Sequence, residues 1–318
     1  MEILIRQATE KDIPAIIELL KLSLGETSSK KTIAYWEWKH LQNPFGASPV
    51  LIAEFSGQLV GVRAMMQWKW QTQHQSFNSL RAVDTATHPE YQGKGIFKNL
   101  TLAFIENAQR QQFSFIFNTP NKQSLPGYLK MGWMELGRVR VYLKPIFPNL
   151  YQTELYWERY QEQLINWDPK NISTKEIKNL HTPKSLDYLI WRYRQCPIKE
   201  YGLIVGELQT NKYWIFVKRK KRKGFVEFRV CDYFMEGLLD KNIILKLTTN
   251  AAKKVGAHFL TISLCGSLQK QISWKDGLIN LKKKSPILTF LQLKNEVGFP
   301  NFQILPNWSY QIGDLELF

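Results

Sequence analysis

Cysteine is scarce in this chain: Cys196, Cys231 and Cys265 are the only three. They form no C-x-x-C pair and no cluster with histidine, which argues against a disulfide framework or a zinc site of the usual spacing. A reduced, cytoplasmic protein is the expectation, with no metal. Long apolar runs are missing as well. No uninterrupted apolar segment approaches the roughly 20 residues needed to cross a bilayer, so no membrane span is expected. The first residues, Met1-Glu2-Ile3-Leu4-Ile5-Arg6, lack a basic stretch followed by a long apolar one, and no signal peptide is expected. Acidic residues are outnumbered, 27 Asp and Glu against 43 Lys and Arg, for a formal net charge of +16.

Such a chain attracts phosphates, nucleic acid or anionic surfaces through its long-range field. The densest basic block, Lys218-Arg219-Lys220-Lys221-Arg222-Lys223, lies between two strand-like runs. It reads as a solvated hairpin loop, since no nucleic-acid-binding motif accompanies it, and no nucleic-acid partner is expected. With 318 residues and an apolar fraction of 44%, there is room for one large or two ordinary packed domains.

The pattern along the chain alternates strand and helix. Leu4–Arg6 reads as a strand, and Thr9-Glu10-Lys11-Asp12 as a capping box ahead of Ile13, Ile16, Ile17 and Leu20 at helical spacing. An aromatic helix follows over Tyr35–Leu41, stopped by Asn43-Pro44. Then come strands over Pro49–Phe55, Leu59–Trp68 and Asn78–Thr87, a helix over Ile96–Arg110 and a strand over Phe113–Asn118. The most informative stretch lies here. It contains His88-Pro89-Glu90-Tyr91-Gln92-Gly93-Lys94-Gly95-Ile96-Phe97, then Asn118-Thr119-Pro120-Asn121, then Tyr128-Leu129-Lys130-Met131-Gly132-Trp133. A glycine-rich turn that opens a helix presents unpaired N–H groups and the positive end of the helix dipole, a cradle for pyrophosphate. The triphosphatase loop is excluded because Gly93-Lys94-Gly95 is not followed by Lys-Ser/Thr. The dinucleotide fingerprint fails because position 98 is Lys.

What remains, Gln92-Gly93-Lys94-Gly95 with the later Asn and Tyr-x-x-x-Gly-aromatic elements, resembles the GNAT acyltransferase superfamily. The departure is Phe97, where many members carry Gly or Ala. The resemblance implies a mixed sheet with helices on both faces. It also implies transfer of an acyl group from acyl-CoA, acetyl-CoA or a longer or hydroxylated relative, to a primary amine. The N–H groups of Gly93, Lys94, Gly95 and Ile96 are then expected to hold the pyrophosphate, with Gln92 and Phe97 beside them. The strand Thr85-Ala86-Thr87 would pair with the pantetheine arm and polarise the thioester carbonyl. Asn118 and Asn121 would contact the coenzyme, and Tyr128 would protonate the leaving thiolate. Asp84 is the best local candidate to take the amine proton. Glu54 and His88 are weaker, and His88 reads rather as a turn residue. Cys196 as an acyl carrier is disfavoured, which favours direct transfer in a ternary complex. Trp36, Trp38, Trp68 and Trp191 are groove candidates, with core packing the simpler role for each.

The second half echoes the first. Tyr35, Trp38, Gln42 and Pro44 recur in register as Tyr188, Trp191, Gln195 and Pro197, each time before a hairpin pattern. Phe225–Tyr233, a helix near Leu238–Val255 and a strand over His258–Leu264 repeat the strand-helix-strand order. Asn295–Phe299 echoes Tyr128–Trp133. Where the second cradle belongs there is only Gly237, so no coenzyme pocket is expected in that half. The division expected is a GNAT domain over residues 1–145, a crossover linker over 146–184, and a degenerate GNAT-like domain over 185–318 that closes the acceptor side. This α/β tandem, ending in Trp308 and Gly313-Asp314, resembles bacterial acyltransferases acting on amino sugars of surface polysaccharides. It implies a nucleotide-linked amino sugar as acceptor, of the dTDP-linked 3-amino-3,6-dideoxyhexose type. Another amine (protein, polyamine or antibiotic) and a non-catalytic acyl-CoA sensor remain as alternatives.

Overall fold

The computed structural model describes residues 2–25, 30–149, 151–168, 179–197, 200–208, 211–222, 224–236, 240–282, 284–294 and 302–315. Strand β1 (Leu4–Gln7) opens the chain. The capping box forms as read, on a 3-10 turn: Thr9 N donates to Asp12 Oδ2 at 2.7 Å. Helix α1 (Ile13–Leu24) follows directly. Helix α2 (Ile33–His40) starts where the Thr32 hydroxyl accepts from Tyr35 N. Strands β2 (Val50–Phe55), β3 (Gln58–Gln71) and β4 (Ser76–Thr87) form an antiparallel meander. Helix α3 (Ile96–Arg110) then carries the chain to β5 (Phe115–Asn118), parallel to β4. Helix α4 (Leu125–Lys130) and β6 (Met134–Arg138) complete the first half.

Side chains alternate across the pleat, so each strand feeds two cores. Ile52 and Val62 join Ile16, Ile17 and Leu20 of α1 on one face. Leu51 and Ala53 join Ile96, Leu100 and Phe104 of α3 on the other. Helix α3 therefore buries the stripe Ile96, Leu100 and Phe104.

The second half runs through β7 (Tyr142–Pro145), α5 (Thr153–Asn166) and α6 (Leu186–Leu189), which continues into a π-type turn over Ile190–Arg194. Then come β8 (Gly202–Leu208), β9 (Asn211–Arg222), β10 (Phe225–Met235), α7 (Lys241–Lys254) and β11 (Phe259–Ile262). Short helix α8 (Gly266–Lys270), β12 (Ile279–Asn280) and β13 (Ile287–Gln292) follow. The basic block belongs largely to β9 rather than to a loop: Lys218 to Arg222 pair with Arg229 to Phe225 of β10. Arg219 and Lys221 both bond to Glu154 of α5. The stretch expected as a plain crossover also contains structure, because α5 buries Trp157, Tyr160 and Leu164 against the second sheet. Gly237 and Asn295–Phe299 fall outside the described residues.

The chain makes two mixed sheets flanked by helices, and the halves exchange strands. The first sheet has the order β1-β2-β3-β4-β5-β13-β6 and the second β12-β7-β11-β10-β9-β8. Strand β13, late in sequence, thus lies between β5 and β6, while β7 lies between β12 and β11. A shared core fills the space between the sheets, with Trp68, Trp70 and Phe117 from one side and Trp191, Leu203, Trp214 and Phe216 from the other. At its centre the two repeat positions meet. Trp38 and Trp191 stack at 4.8 Å, and each indole N–H donates to the other's backbone carbonyl at 2.8 Å.

Candidate active site

Two backbone features build the cleft. Strands β4 and β5 pair only from Ser79 to Arg81 and then separate, so the end of β4 leaves a wedge beside Asn118. Strand β4 also bulges: Arg63 faces Thr85 and Ala64 faces Val83, which leaves Asp84 as the extra residue at φ 25°. A bulge of this kind bends the strand and re-aims its side chains.

The wedge opens into a cleft of about 700 Å³. Thr85, Ala86, Thr87, Gln92, Gly93, Gly95, Ile96, Phe97, Asn118, Asn121 and Tyr128 all line it. Gly93 and Gly95 have φ 76° and 78°, the left-handed region that glycine occupies without strain. Gly95 is the N-cap of α3 and supplies no side-chain cap. The N–H groups of Gly93, Lys94, Gly95 and Ile96 have no partner among the described residues. Lys94 does not line the cleft; its ammonium lies over the Tyr91 ring at 4.6 Å. Asn121 uses its Oδ1 at home, accepting from Gln123 N, Ser124 N and Ser124 Oγ, and so fixes the loop into α4. Asn118 is buried, and its Oδ1 accepts from Thr289 of the exchanged strand β13.

Tyr128 is 5% exposed and reaches the cleft from α4. Its ring packs edge-on against Phe97 at 5.5 Å and against Trp133 at 5.1 Å. Phe97 therefore stands as a wall of the cleft beside Tyr128. It also presses on α4, since a Cβ at Gly127 would lie 3.2 Å from its ring.

Asp84 does not line the cleft. Its carboxylate is held from α2, by Lys39 Nζ at 2.8 Å and His40 Nε2 at 2.9 Å. Burial pushes this carboxyl up, but the Lys39 charge and the His40 contact more than offset it and hold it well below the usual carboxylate range. Such a group is an anion at neutral pH with a weak hold on any proton.

The other candidates have local roles. Glu54 pairs with Arg6 at 2.6 Å. His88 Nδ1 accepts from Glu90 N and caps its turn. Trp36, Trp38, Trp68 and Trp191 are buried in the cores, and none lines the cleft. Cys196 is buried. Among the described residues no group of three or more His, Cys, Asp or Glu could hold a metal, and no helix is long and apolar enough to cross a membrane.

Sequence reasoning missed Arg63 and Arg81. Arg63 has no exposed surface, and its Nη1 donates to Tyr128 Oη at 2.8 Å and to Thr85 Oγ1 at 2.9 Å. Arg81, 4% exposed, donates to Thr119 Oγ1 and to the Leu315 carbonyl from the C-terminal segment. The signal for Arg63 was present: it is the one charged residue in the apolar run from Leu59 to Met66.

Residues 4–136 match the family model described as acetyltransferase (GNAT) domain. None of the curated proteins compared matches the chain. A GCN5-related N-acetyltransferase from Anabaena variabilis aligns with a TM-score of 0.62 at 13% identity, covering 92% of this chain and 73% of that one. A conserved protein of unknown function from Enterococcus faecalis gives 0.60 at 11% identity, with the same coverage of 92% and 73%. Eis1 from Mycobacterium abscessus gives 0.55 at 8% identity, covering 90% of this chain and 73% of that one. At these identities the likeness to the solved structures is one of fold, and it extends over both halves. Residues 4–136 thus correspond to a GNAT acetyltransferase domain by the family match, which supports an acyl-CoA-dependent acyltransferase.

Proposed function

We propose that this protein transfers an acyl group from acyl-CoA to the primary amine of an amino sugar carried on a nucleotide, the dTDP-linked 3-amino-3,6-dideoxyhexose type being the leading case. The observation that carries the acyltransferase reading is the uncapped start of α3, whose N–H groups of Gly93, Lys94, Gly95 and Ile96 stand unpaired beside a cleft that ends at Tyr128. Four unpaired donors and a helix dipole favour a pyrophosphate. Gln92, Phe97 and Asn121 then border the coenzyme. The Thr85-Ala86-Thr87 segment, at the side of β4 that β5 leaves open, offers backbone groups to the pantetheine amides and a donor to the thioester oxygen. In this reading the amine attacks the thioester directly. The acyl–sulfur bond breaks as the acyl–nitrogen bond forms, and the Tyr128 hydroxyl gives its proton to the departing thiolate.

Asp84 enters as the anion that fixes the bulge and neutralises Lys39. Given its weak hold on a proton, the amine proton leaves to water in the cleft. The acceptor class is supported by charge. At +16 the chain suits an acceptor bearing phosphates, whereas a polycationic one would call for an acidic cleft. In this reading the second half closes the acceptor side, and Arg81 ties the two halves together through Thr119 Oγ1 and the Leu315 carbonyl.

The test is free-thiol release from acetyl-CoA and longer acyl-CoAs with a panel of dTDP- and UDP-linked amino sugars, polyamines, aminoglycosides and peptides. Release that depends on one nucleotide-linked amino sugar supports the acceptor assignment. Release with another amine keeps the acyltransferase and replaces its acceptor. Acyl-CoA binding without release above the hydrolysis blank turns the reading to a sensor.

A further inference from the structure

The Arg63 guanidinium has no exposed surface and no carboxylate partner among the described residues, yet it sits beneath the cleft wall. Both hydrogens of Nη1 have directed partners, Thr85 Oγ1 at 2.9 Å and Tyr128 Oη at 2.8 Å. Thr85 spends its own hydroxyl proton on Val83 O at 3.0 Å, so toward Arg63 it can only accept. Tyr128 Oη likewise accepts from Arg63. Its own proton has no acceptor among the described residues, while its ring borders the cleft. The guanidinium is wedged between two rings, 5.3 Å from Phe97 and 5.1 Å from Tyr128. Its Nε and Nη2 have no hydrogen-bond partner among the described residues. A buried cation with unmet donors costs folding free energy, so its retention points to a role for its charge.

We propose that Arg63 is a positioning residue for Tyr128. It takes one lone pair of the phenolic oxygen, turns the O–H bond toward the cleft, and offsets the negative charge left on that oxygen once the proton has gone to sulfur. This rests on the reading of Tyr128 as the thiolate's proton donor. The chemistry balances within the site: the proton moves from Tyr128 Oη to the coenzyme sulfur, the phenolate forms beside a permanent cation, and solvent later returns the proton. Arg63 does not line the cleft and acts on the sulfur only through Tyr128, while Thr85 holds the guanidinium in place. The aromatic residue at position 97 gains a reason here, because its ring covers the guanidinium face where Gly or Ala would leave it open. The bulge at Asp84 gains one too, because it brings Thr85, rather than its neighbour, opposite Arg63.

The experiment needs no acceptor. Coenzyme A and desulfo-coenzyme A differ at the sulfur, so the ratio of their affinities, measured by calorimetry, reports the contact between Tyr128 and sulfur. The full-length protein is expected to prefer coenzyme A by about tenfold, the worth of one good hydrogen bond. Tyr128→Phe is expected to erase the preference while leaving desulfo-coenzyme A affinity unchanged. Arg63→Met should erase it equally, and adding it to Tyr128→Phe should change nothing further. Arg63→Lys, which keeps the charge and one donor, should retain part of the preference, and it decides the matter if Arg63→Met fails to fold. A parent protein with no preference, or a Tyr128→Phe protein that keeps it, overturns the Tyr128 reading itself. If Tyr128→Phe loses the preference and the Arg63 variants keep it, or weaken both ligands alike, Arg63 is only a structural residue and this inference fails.

Discussion

The two halves solve the same stretch of backbone in opposite ways. In each, a bulged strand, β4 or β10, leads to a long helix, α3 or α7, that packs on its sheet. Helix α3 begins at Gly95 with no side-chain cap, and its first N–H groups remain unpaired beside the cleft. Helix α7 begins at Asp240, whose carboxylate accepts from Asn242 N at 2.6 Å and Ile243 N at 3.3 Å. A helix start that carries its own carboxylate has fewer donors left for a phosphate and repels one. In the proposed function, the phosphate site is made by withholding a cap, at a cost in helix stability that the ligand would repay on binding.

The bulges differ as well. Asp84 lies between Lys39 and His40 of α2. Asp232, beside the second bulge, accepts from Tyr193 at the repeat position of His40 and from Lys184 at 3.0 Å, and Lys184 also holds Asp314. One lysine between two buried carboxylates cannot neutralise both. Burial, with the Asp314 charge added, pushes the Asp232 carboxyl up to about 6 in spite of Lys184, whereas Asp84 stays well below the usual range.

The contact where the halves meet is the most sensitive place to break the comparison. Trp191→Ala removes a buried indole stacked on Trp38 and both reciprocal hydrogen bonds depend on that packing. A loss of about 3–5 kcal/mol is expected from urea unfolding. Next, Gly95→Asp gives α3 the carboxylate that α7 already has, at a position with φ 78°. Acetyl-CoA affinity is expected to fall by about a hundredfold, or about 2.7 kcal/mol, in calorimetry; unchanged affinity would remove the cradle.

The aspartates predict opposite slopes with pH. Asp84 is depressed in the folded protein, so its contribution is present above the ordinary carboxylate range, about 4, and is lost as pH falls below it. Asp84→Asn should cost about 2 kcal/mol at pH 7, the worth of a hydrogen bond to charge, with the difference shrinking in acid. Asp232 is raised, so its contribution is present below about 4 and is lost as pH rises toward about 6; Asp232→Asn should flatten that slope in urea midpoints taken from pH 4 to 7. The smallest effect belongs to Asp240→Ala: about 1 kcal/mol of stability by the same method, with no gain of coenzyme binding.

Local signals carried most of the fold into the sequence. The helix over Ile96–Arg110, the capping box at Thr9 and the strand pattern of the first half depend on neighbours a few residues apart, and they stand where their periodicity puts them. The turn at Gly93 and Gly95 was legible because positive φ selects glycine, and Tyr128 because its spacing from Gly132 and Trp133 is local. Helix α5 was missed although Trp157, Tyr160 and Leu164 hold helical spacing, because its polar face and the surrounding Pro and Asn residues masked the stripe. The partners of Asp84 and Tyr128 were not legible. Lys39 and Arg63 reach them across 45 and 65 residues of sequence, and only the bulge and the packing of α2 and α4 bring them together.

The exchange of β7 and β13 sets a timetable for how the protein is made. Phe115–Asn118 bonds to Thr289–Gln292, so the sheet that forms the wedge of the cleft lacks an interior strand until nearly the whole chain has left the ribosome. Until then the edges of β5 and β6 stand open to other strands. Synthesis of the second half is therefore a condition for finishing the first, and a nascent chain of 145 residues would carry the whole glycine-rich motif without a closed sheet to hold it.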